Sequence, residues 1–228
     1  METWWLQAPL GLVAGYVAAS VGESLQHRLF GHGSRWMRAR TKRLRLLGPF
    51  LERIHWSHTI IHHGRTFKKD FLTAFRCPEE RHELLSAMTA EEQRLALRTS
   101  FGLTIPLDSY PWFLWLPLLV SMLLASQLGS AAGTASVLPL LIPPLLSRFV
   151  HPLIHRPYQE ALNESRGMMR WLMQTRYAKA MIRHHWMHHR YPRCNFNLLL
   201  LGDRLLGTHR PASAKDLHEM RSLGIPLD

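Results

Sequence analysis

Ten of the fifteen histidines fall into four groups: His27 and His32; His58, His62 and His63; His151 and His155; His185, His188 and His189. Neutral imidazole is a common metal ligand. Residues three or four apart share a face of an α-helix, so most of these groups can aim several ring nitrogens at one point. His63 fits less directly. His27 and His32 stand five apart, roughly 140° around an ideal helix; Gly31 between them predicts a helix end or bend that turns His32 inward. Ten imidazoles exceed the about four ligands of a structural zinc and suit two metals at roughly five each. Imidazole accepts iron, zinc and copper alike, so ligand type leaves the metal open. No His-Glu-x-x-His is present, which disfavours a zinc hydrolase. An isolated pair such as His151 and His155 is commonly just solvated; four groups in one chain point to a metal centre. His55 and His184 border the groups and read as supporting neighbours or alternate ligands. His82, His209 and His218 read as surface residues. Cys77 and Cys194 are too few for an iron–sulfur cluster, and Cys194 reads as a bystander to the last histidine group.

The elements that must position these rings are helical. Trp4 to about Val21 is apolar and approaches the ~20 residues a helix needs to cross hydrocarbon, although it contains Gln7 and Pro9. No Lys or Arg precedes it, which argues against a cleaved signal peptide. A second span runs over about 110–127. A soft turn at Gly129-Ser130-Ala131-Ala132-Gly133 leads into a third, about 135–150, where Pro139, Pro143 and Pro144 are expected to introduce kinks. Phe50 to His63 reads as an amphipathic helix after Gly48-Pro49. Thr89-Ala90-Glu91-Glu92 is a capping box opening a helix of about ten residues, and Met168 to His189 reads as one further helix. The rest of 64–88 reads as connection broken by Pro78. The chain is thus expected to be all-α, a single unit over 1–228 with no strand.

Charge distribution supplies a topology. Of the 28 Lys and Arg residues, none lies in 1–27 or 99–147, the two most apolar stretches, as the positive-inside rule expects of spans and their outer loop. The net charge of +12 therefore reads as a membrane signal rather than a nucleic-acid one. Threading the spans places 22–108 and 151–228 in a cytoplasmic cap, and all four histidine groups fall on that side, although the rule considers only Lys and Arg. Residues 110–147 contain no His, Asp, Glu, Lys or Arg, which disfavours a non-enzymatic metal-binding or transport protein with ligands inside the spans. Arg35, Arg38, Arg40, Lys42, Arg43 and Arg45 form a basic run suited to anionic lipid, or to an acidic electron donor.

His27-x4-His32, His58-x3-His62-His63, His151-x3-His155 and His185-x2-His188-His189, in that order, resemble the histidine boxes of the membrane-bound fatty acid hydroxylase and sterol desaturase superfamily. The likeness continues through Asn195-Phe196, where Asn197 follows in place of a more usual glycine, and through Asp203-Arg204-Leu205-Leu206-Gly207-Thr208. It implies a mushroom-like helical fold, with integral membrane helices below a cytoplasmic cap that holds a histidine-ligated di-metal centre. It implies two iron ions, which zinc can replace on purification, and O2 as co-substrate. The implied reaction is hydroxylation of a C–H bond in a lipid or other hydrophobic substrate; desaturation by the same centre is the alternative. Because the chain encodes no redox carrier, a ferredoxin or small haem protein with its reductase would supply electrons. Asp203 is expected to accept the free N–H of a ligating imidazole, with a surface ion pair or helix cap as the alternative. Asn195 belongs to the same supporting group.

Overall fold

The computed structural model describes residues 4–68, 71–72, 77–104 and 110–227, the side chains of 110–117 excepted. Among the described residues every regular element is helical and none is a strand. The helices are α1 (Trp4–Gln26), α2 (Arg35–Thr41), α3 (Gly48–His55), α4 (Pro78–Ser86), α5 (Ala90–Arg98), α6 (Tyr110–Leu128) and α7 (Ser130–Leu145), followed by α8 (His151–Ile154), α9 (Tyr158–Glu164), α10 (Gly167–Gln174), α11 (Arg176–Arg190), α12 (Gly202–Leu205) and α13 (Ala214–Ser222). Three π-helical segments interrupt or extend them: His27–Gly31 after α1, Trp56–Thr66 after α3, and Leu146–Val150 between α7 and α8.

Two continuous helices, Trp4–Gly31 and Ser130–Ile154, are long and apolar enough to cross a membrane. Both are longer than the spans read from the sequence at 4–21 and 135–150. The first continues beyond its apolar part into a π-turn that His27 opens, and the second passes through a π-turn to His151. Of the span expected at 110–127, the backbone is helical from Tyr110 to Leu128. Their apolar side chains face outward in numbers, including Trp4, Trp5, Leu10, Val13, Leu119, Met122 and Leu138. A protein that met only water would rarely leave so much apolar surface contiguous.

The turn expected over 129–133 is a single residue. Gly129, at φ 100°, reverses the chain, and α7 begins at Ser130. Gly11 and Gly15 on α1 allow α7 to approach closely: a Cβ on Gly11 would strike the Ala132 carbonyl, and one on Gly15 would lie 2.8 Å from the Ser136 carbonyl. This small-residue spacing of four is how apolar helices approach without a hydrophobic driving force between them.

Two further expectations are corrected. Residues 168–189 form two helices, α10 and α11, because Thr175 adopts an extended backbone and its hydroxyl caps the Ala178 amide at 3.1 Å; capping Thr competes well with helix continuation. The stretch read as connection contains α4, with Pro78 at its first turn, where the missing amide costs nothing. The Thr89 capping box is present. Its Glu92 also receives a forked bond from Arg65 at 2.9–3.2 Å, tying α5 to the π-segment that carries His58, His62 and His63. The main core, including Ile154, Met173, Met181, Trp186 and Leu199, lies under α11; a smaller one around Ile61, Met88, Ala96 and Phe101 lies under α5.

Candidate metal centre

Two of the π-turns solve the spacing problem. An i→i+5 hydrogen bond brings residues five apart toward one face. The His32 amide donates to the His27 carbonyl at 3.1 Å, and His58 and His63, also five apart, lie within the π-segment Trp56–Thr66. The distortion expected at Gly31 is therefore a π-turn, and a Cβ on Gly31 would press on the rings of His27 and His58.

All ten predicted imidazoles come together. His27, His32, His58, His63 and His188 form one group whose ligand atoms lie within 4.8 Å of one another, and His62, His155, His185 and His189 form a second. His151 joins the second through His185, their Nε2 atoms 3.0 Å apart. Adjacent histidines divide between the groups: His62 and His63 serve one each, as do His188 and His189. Two ring-bearing positions in sequence thus supply two centres rather than one.

The ring orientations are fixed from behind. His151, His155 and His188 donate Nδ1–H to the carbonyls of Leu103, Phe71 and Cys194 at 2.8–2.9 Å, and His27 donates to the carbonyl of Phe196. With the proton on Nδ1, each neutral ring turns an Nε2 lone pair inward. There the Nε2 atoms crowd: His32, His58, His63 and His188 form a ring of contacts at 3.0–3.1 Å, and His185 meets both His151 and His155 at 2.9–3.0 Å. Hydrogen bonding cannot satisfy all these contacts, because His151 and His155 carry their protons elsewhere and His185 has at most one to give. Nitrogens sharing an ion at about 2.0–2.1 Å are spaced roughly 3 Å apart. The donor set therefore fits cations, and the buried cluster could hold metal.

Burial and mutual proximity keep these rings neutral. Desolvation, followed by repulsion from neighbouring rings, holds His58, His62, His63, His185, His188 and His189 well below the ordinary imidazole range, and burial brings His32 down to about 3.

The expected supporting residues take other roles. Asp203 reaches no member of the two groups. It is buried and accepts from His184 Nε2 at 3.0 Å, the Asn197 amide at 2.9 Å and the Thr208 hydroxyl at 2.6 Å. Burial raises its pKa, but these bonds outweigh it and leave the carboxyl below its usual range. Neither a direct orienting bond, a surface ion pair nor a helix cap describes it; it secures the loop whose carbonyls hold His27 and His188. His184 is accordingly its partner rather than a ligand, and His55 donates Nδ1–H to the Gly31 carbonyl, 2.9 Å away. Asn195, at φ 56°, pairs with the backbone of Arg210 through both side-chain ends. Cys194 contributes its carbonyl, while burial pushes its thiol up to about 11. His82, His209 and His218 are exposed.

Sequence reasoning missed the latch between this loop and α1. The Tyr16 hydroxyl donates to the Leu199 carbonyl at 2.6 Å, the Ser20 hydroxyl accepts from Asn197 and Gly202 at 2.7 Å, and Glu23 accepts the amides of Leu198 and Leu199 at 3.0 and 3.2 Å. Tyr16, Ser20 and Glu23 recur at helical spacing, a polar stripe on an otherwise apolar helix that could have signalled a buried partner. Asn197 supplies the side chain that reaches Ser20.

A cavity of about 470 Å³ opens onto this centre. Its walls are largely apolar, including Ala18, Ala19, Val120, Leu140 and Pro143, and its inner end meets His27, His58, His151 and His185. No family model matches the chain, and no curated protein or solved structure matches it.

Proposed function

We propose that this chain is an integral membrane, O2-dependent di-iron oxygenase that hydroxylates a C–H bond of a hydrophobic substrate. The observation that carries this reading is the contact between an apolar cavity and two adjacent groups of inward-facing imidazoles. His27, His32, His58, His63 and His188 would hold one ion, and His62, His151, His155, His185 and His189 the other. Two bound irons would supply the reduction of O2, with the overall balance R–H + O2 + 2 e⁻ + 2 H⁺ → R–OH + H2O.

The chain's own residues prepare this chemistry. Neutral imidazoles leave the metals' positive charge uncancelled. The carbonyls of Leu103, Phe71, Cys194 and Phe196 keep the four rings behind which they stand from rotating. The apolar wall excludes water, which would otherwise compete with a C–H bond for the oxidant. Electrons would come from a separate small redox protein, since the chain carries no second redox centre. The resemblance in histidine-box order and spacing and the asymmetry of Lys and Arg support a multi-pass topology with the cap in the cytoplasm.

The test compares, by mass spectrometry, the lipids of cells producing the intact chain with those of cells producing His188→Ala. A lipid class that gains one oxygen only with the intact chain supports hydroxylation. A loss of two hydrogens would replace it with desaturation. No change, despite iron-loaded protein and a competent donor, would count against the enzyme.

A further inference from the structure

Two helices run side by side toward the histidines. The Tyr16 and Tyr177 hydroxyls donate to the adjacent carbonyls of Leu199 and Leu198 at 2.6 and 3.2 Å. Eleven residues further along α1 and α11, the His27 and His188 rings lie 4.5 Å apart between centroids. At ~1.5 Å per residue, the start of α11 therefore lies about 16 Å back from the centre along α1, beside a helix long and apolar enough to span. α10 joins α11 through Thr175 alone, so its C-terminal end shares that depth. α12 lies close to it, with the Gly202 amide 2.7 Å from the Ser20 hydroxyl.

α10 carries more apolar surface than the core takes. Met173 is buried and Met169 and Leu172 pack on the main core, whereas Met168 and Trp171 are 82% and 66% exposed. At about 100° per residue these two stand roughly 60° apart, and Arg170 and Gln174 fall on the remaining side. The helix thus has one side in the core, one apolar side left open and one polar side, the pattern of a helix lying in the plane of a membrane interface. Leu205 of α12 is also exposed, as are Val13 and Val17 on the adjoining stretch of α1, so the patch continues the surface that α1 offers to lipid. Charge points the same way. Arg166, Arg176 and Arg204 are exposed, residues 165–202 contain no Asp or Glu, and the preceding acid, Glu164, is bonded to Arg156. An arginine stem can lie along apolar surface while its guanidinium reaches a phosphate. We propose that α10 and the exposed end of α12 form a non-spanning contact with the bilayer. Met168, Trp171 and Leu205 enter the acyl boundary, and Arg166, Arg176 and Arg204 hold the phosphates of anionic lipids. The contact fastens the far end of the helix that carries His185, His188 and His189. It rests on the membrane reading of α1 and α7 and not on the oxygenase reading.

The full-length protein, in a Cys77→Ser, Cys194→Ser background, is labelled with an environment-sensitive fluorophore at Met168→Cys or, as a reference on the α7 span, at Leu138→Cys. Each is reconstituted into vesicles of phosphatidylcholine and phosphatidylglycerol in equal parts. Quenching is read from aqueous iodide and from nitroxide placed high on the acyl chain of one lipid or the other. The label at 168 is expected to resist iodide and to be quenched by nitroxide, with the phosphatidylglycerol form about twofold or more the better quencher. Arg166→Gln, Arg176→Gln and Arg204→Gln together are expected to equalise the two lipids. Iodide quenching at 168 but not at 138 overturns the proposal, and so does a label at 168 that neither quencher reaches, because protein then covers the face. Equal quenching by both lipids in the unsubstituted arginine background overturns the assignment to anionic lipid. Iodide quenching at both positions sinks the membrane reading itself. Should the label at 168 unfold the protein, the same readings at Trp171→Cys decide.

Discussion

An imidazole becomes a ligand here through what stands behind it. The carbonyls of Leu103, Phe71, Cys194 and Phe196 take the Nδ1 proton and commit Nε2 to the interior. Burial then makes protonation costly, which sets a pH dependence. Folded-state values lie below the ordinary ~6.5 of an unfolded chain, so the unfolded state binds more protons between the two, and stability rises with pH through that window. The contribution is complete above about pH 6.5 and is lost as pH falls toward the folded values, about 3 for His32. Metal-free protein is therefore expected to melt at progressively lower temperature from pH 7 to pH 5, and loaded protein to release metal over the same range, because protons compete for the same lone pairs. A flat melting profile would contradict the neutral, buried assignment. Asp203 acts one step further out. Asp203→Asn removes charge from the bonds to His184, Asn197 and Thr208, at a cost of about 1.5–3 kcal/mol, and is expected to lower both thermal stability and metal retention. Unchanged values for both would deny it a role in securing the loop.

At the scale of elements, the spacing of five in His27-x4-His32 and His58-x4-His63 is incompatible with one face of an α-helix and natural on a π-turn. The prolines of α7 precede a third such segment, Leu146–Val150. Pro143 and Pro144 offer no amides to the preceding turn, which weakens the α ladder just before His151 must be aimed. The close approach of α1 and α7 depends on what is missing from Gly11 and Gly15. Gly15→Leu would push the Ser136 backbone away from α1, and overpacking of this kind costs about 1–3 kcal/mol. The variant is expected to lose thermal stability in detergent and, because α1 ends at His27 and α7 leads to His151, to bind less metal. Wild-type stability and metal content would show that the two helices can separate without consequence. The Tyr16, Ser20 and Glu23 latch works in the same direction, binding the first helix to a loop almost two hundred residues later.

For the whole molecule, the arrangement is a pair of long apolar helices that lead to His27 and His151, with shorter helical segments carrying His58, His62, His63, His185, His188 and His189. If the cap is cytoplasmic, exposed Cys77 is expected to resist a membrane-impermeant maleimide in intact cells and to react after permeabilisation. Labelling in intact cells would invert the topology. A cysteine placed at Gly129, the tip of the α6–α7 hairpin, is expected to give the opposite pattern in a Cys77→Ser background.

The sequence by itself determined that the chain is helical, that apolar stretches alternate with basic ones, and that ten histidines belong together. Composition, charge asymmetry and short spacings are local properties, and each is written directly in residue order. It also indicated that the helix must deviate at Gly31, because geometry forbids the alternative. Only the tertiary structure decided which imidazole joins which group, since His62 and His63, or His188 and His189, are neighbours in sequence and part company only in space. The same holds for the carbonyls that orient the rings: every residue has one, so no residue type announces it. Asp203 looked like a direct partner of a ligand because a carboxylate near a histidine group commonly is one; the fold placed His184 before it instead. The break at Thr175 and the start of α4 at Pro78 were local signals outweighed, on a first reading, by the longer pattern around them.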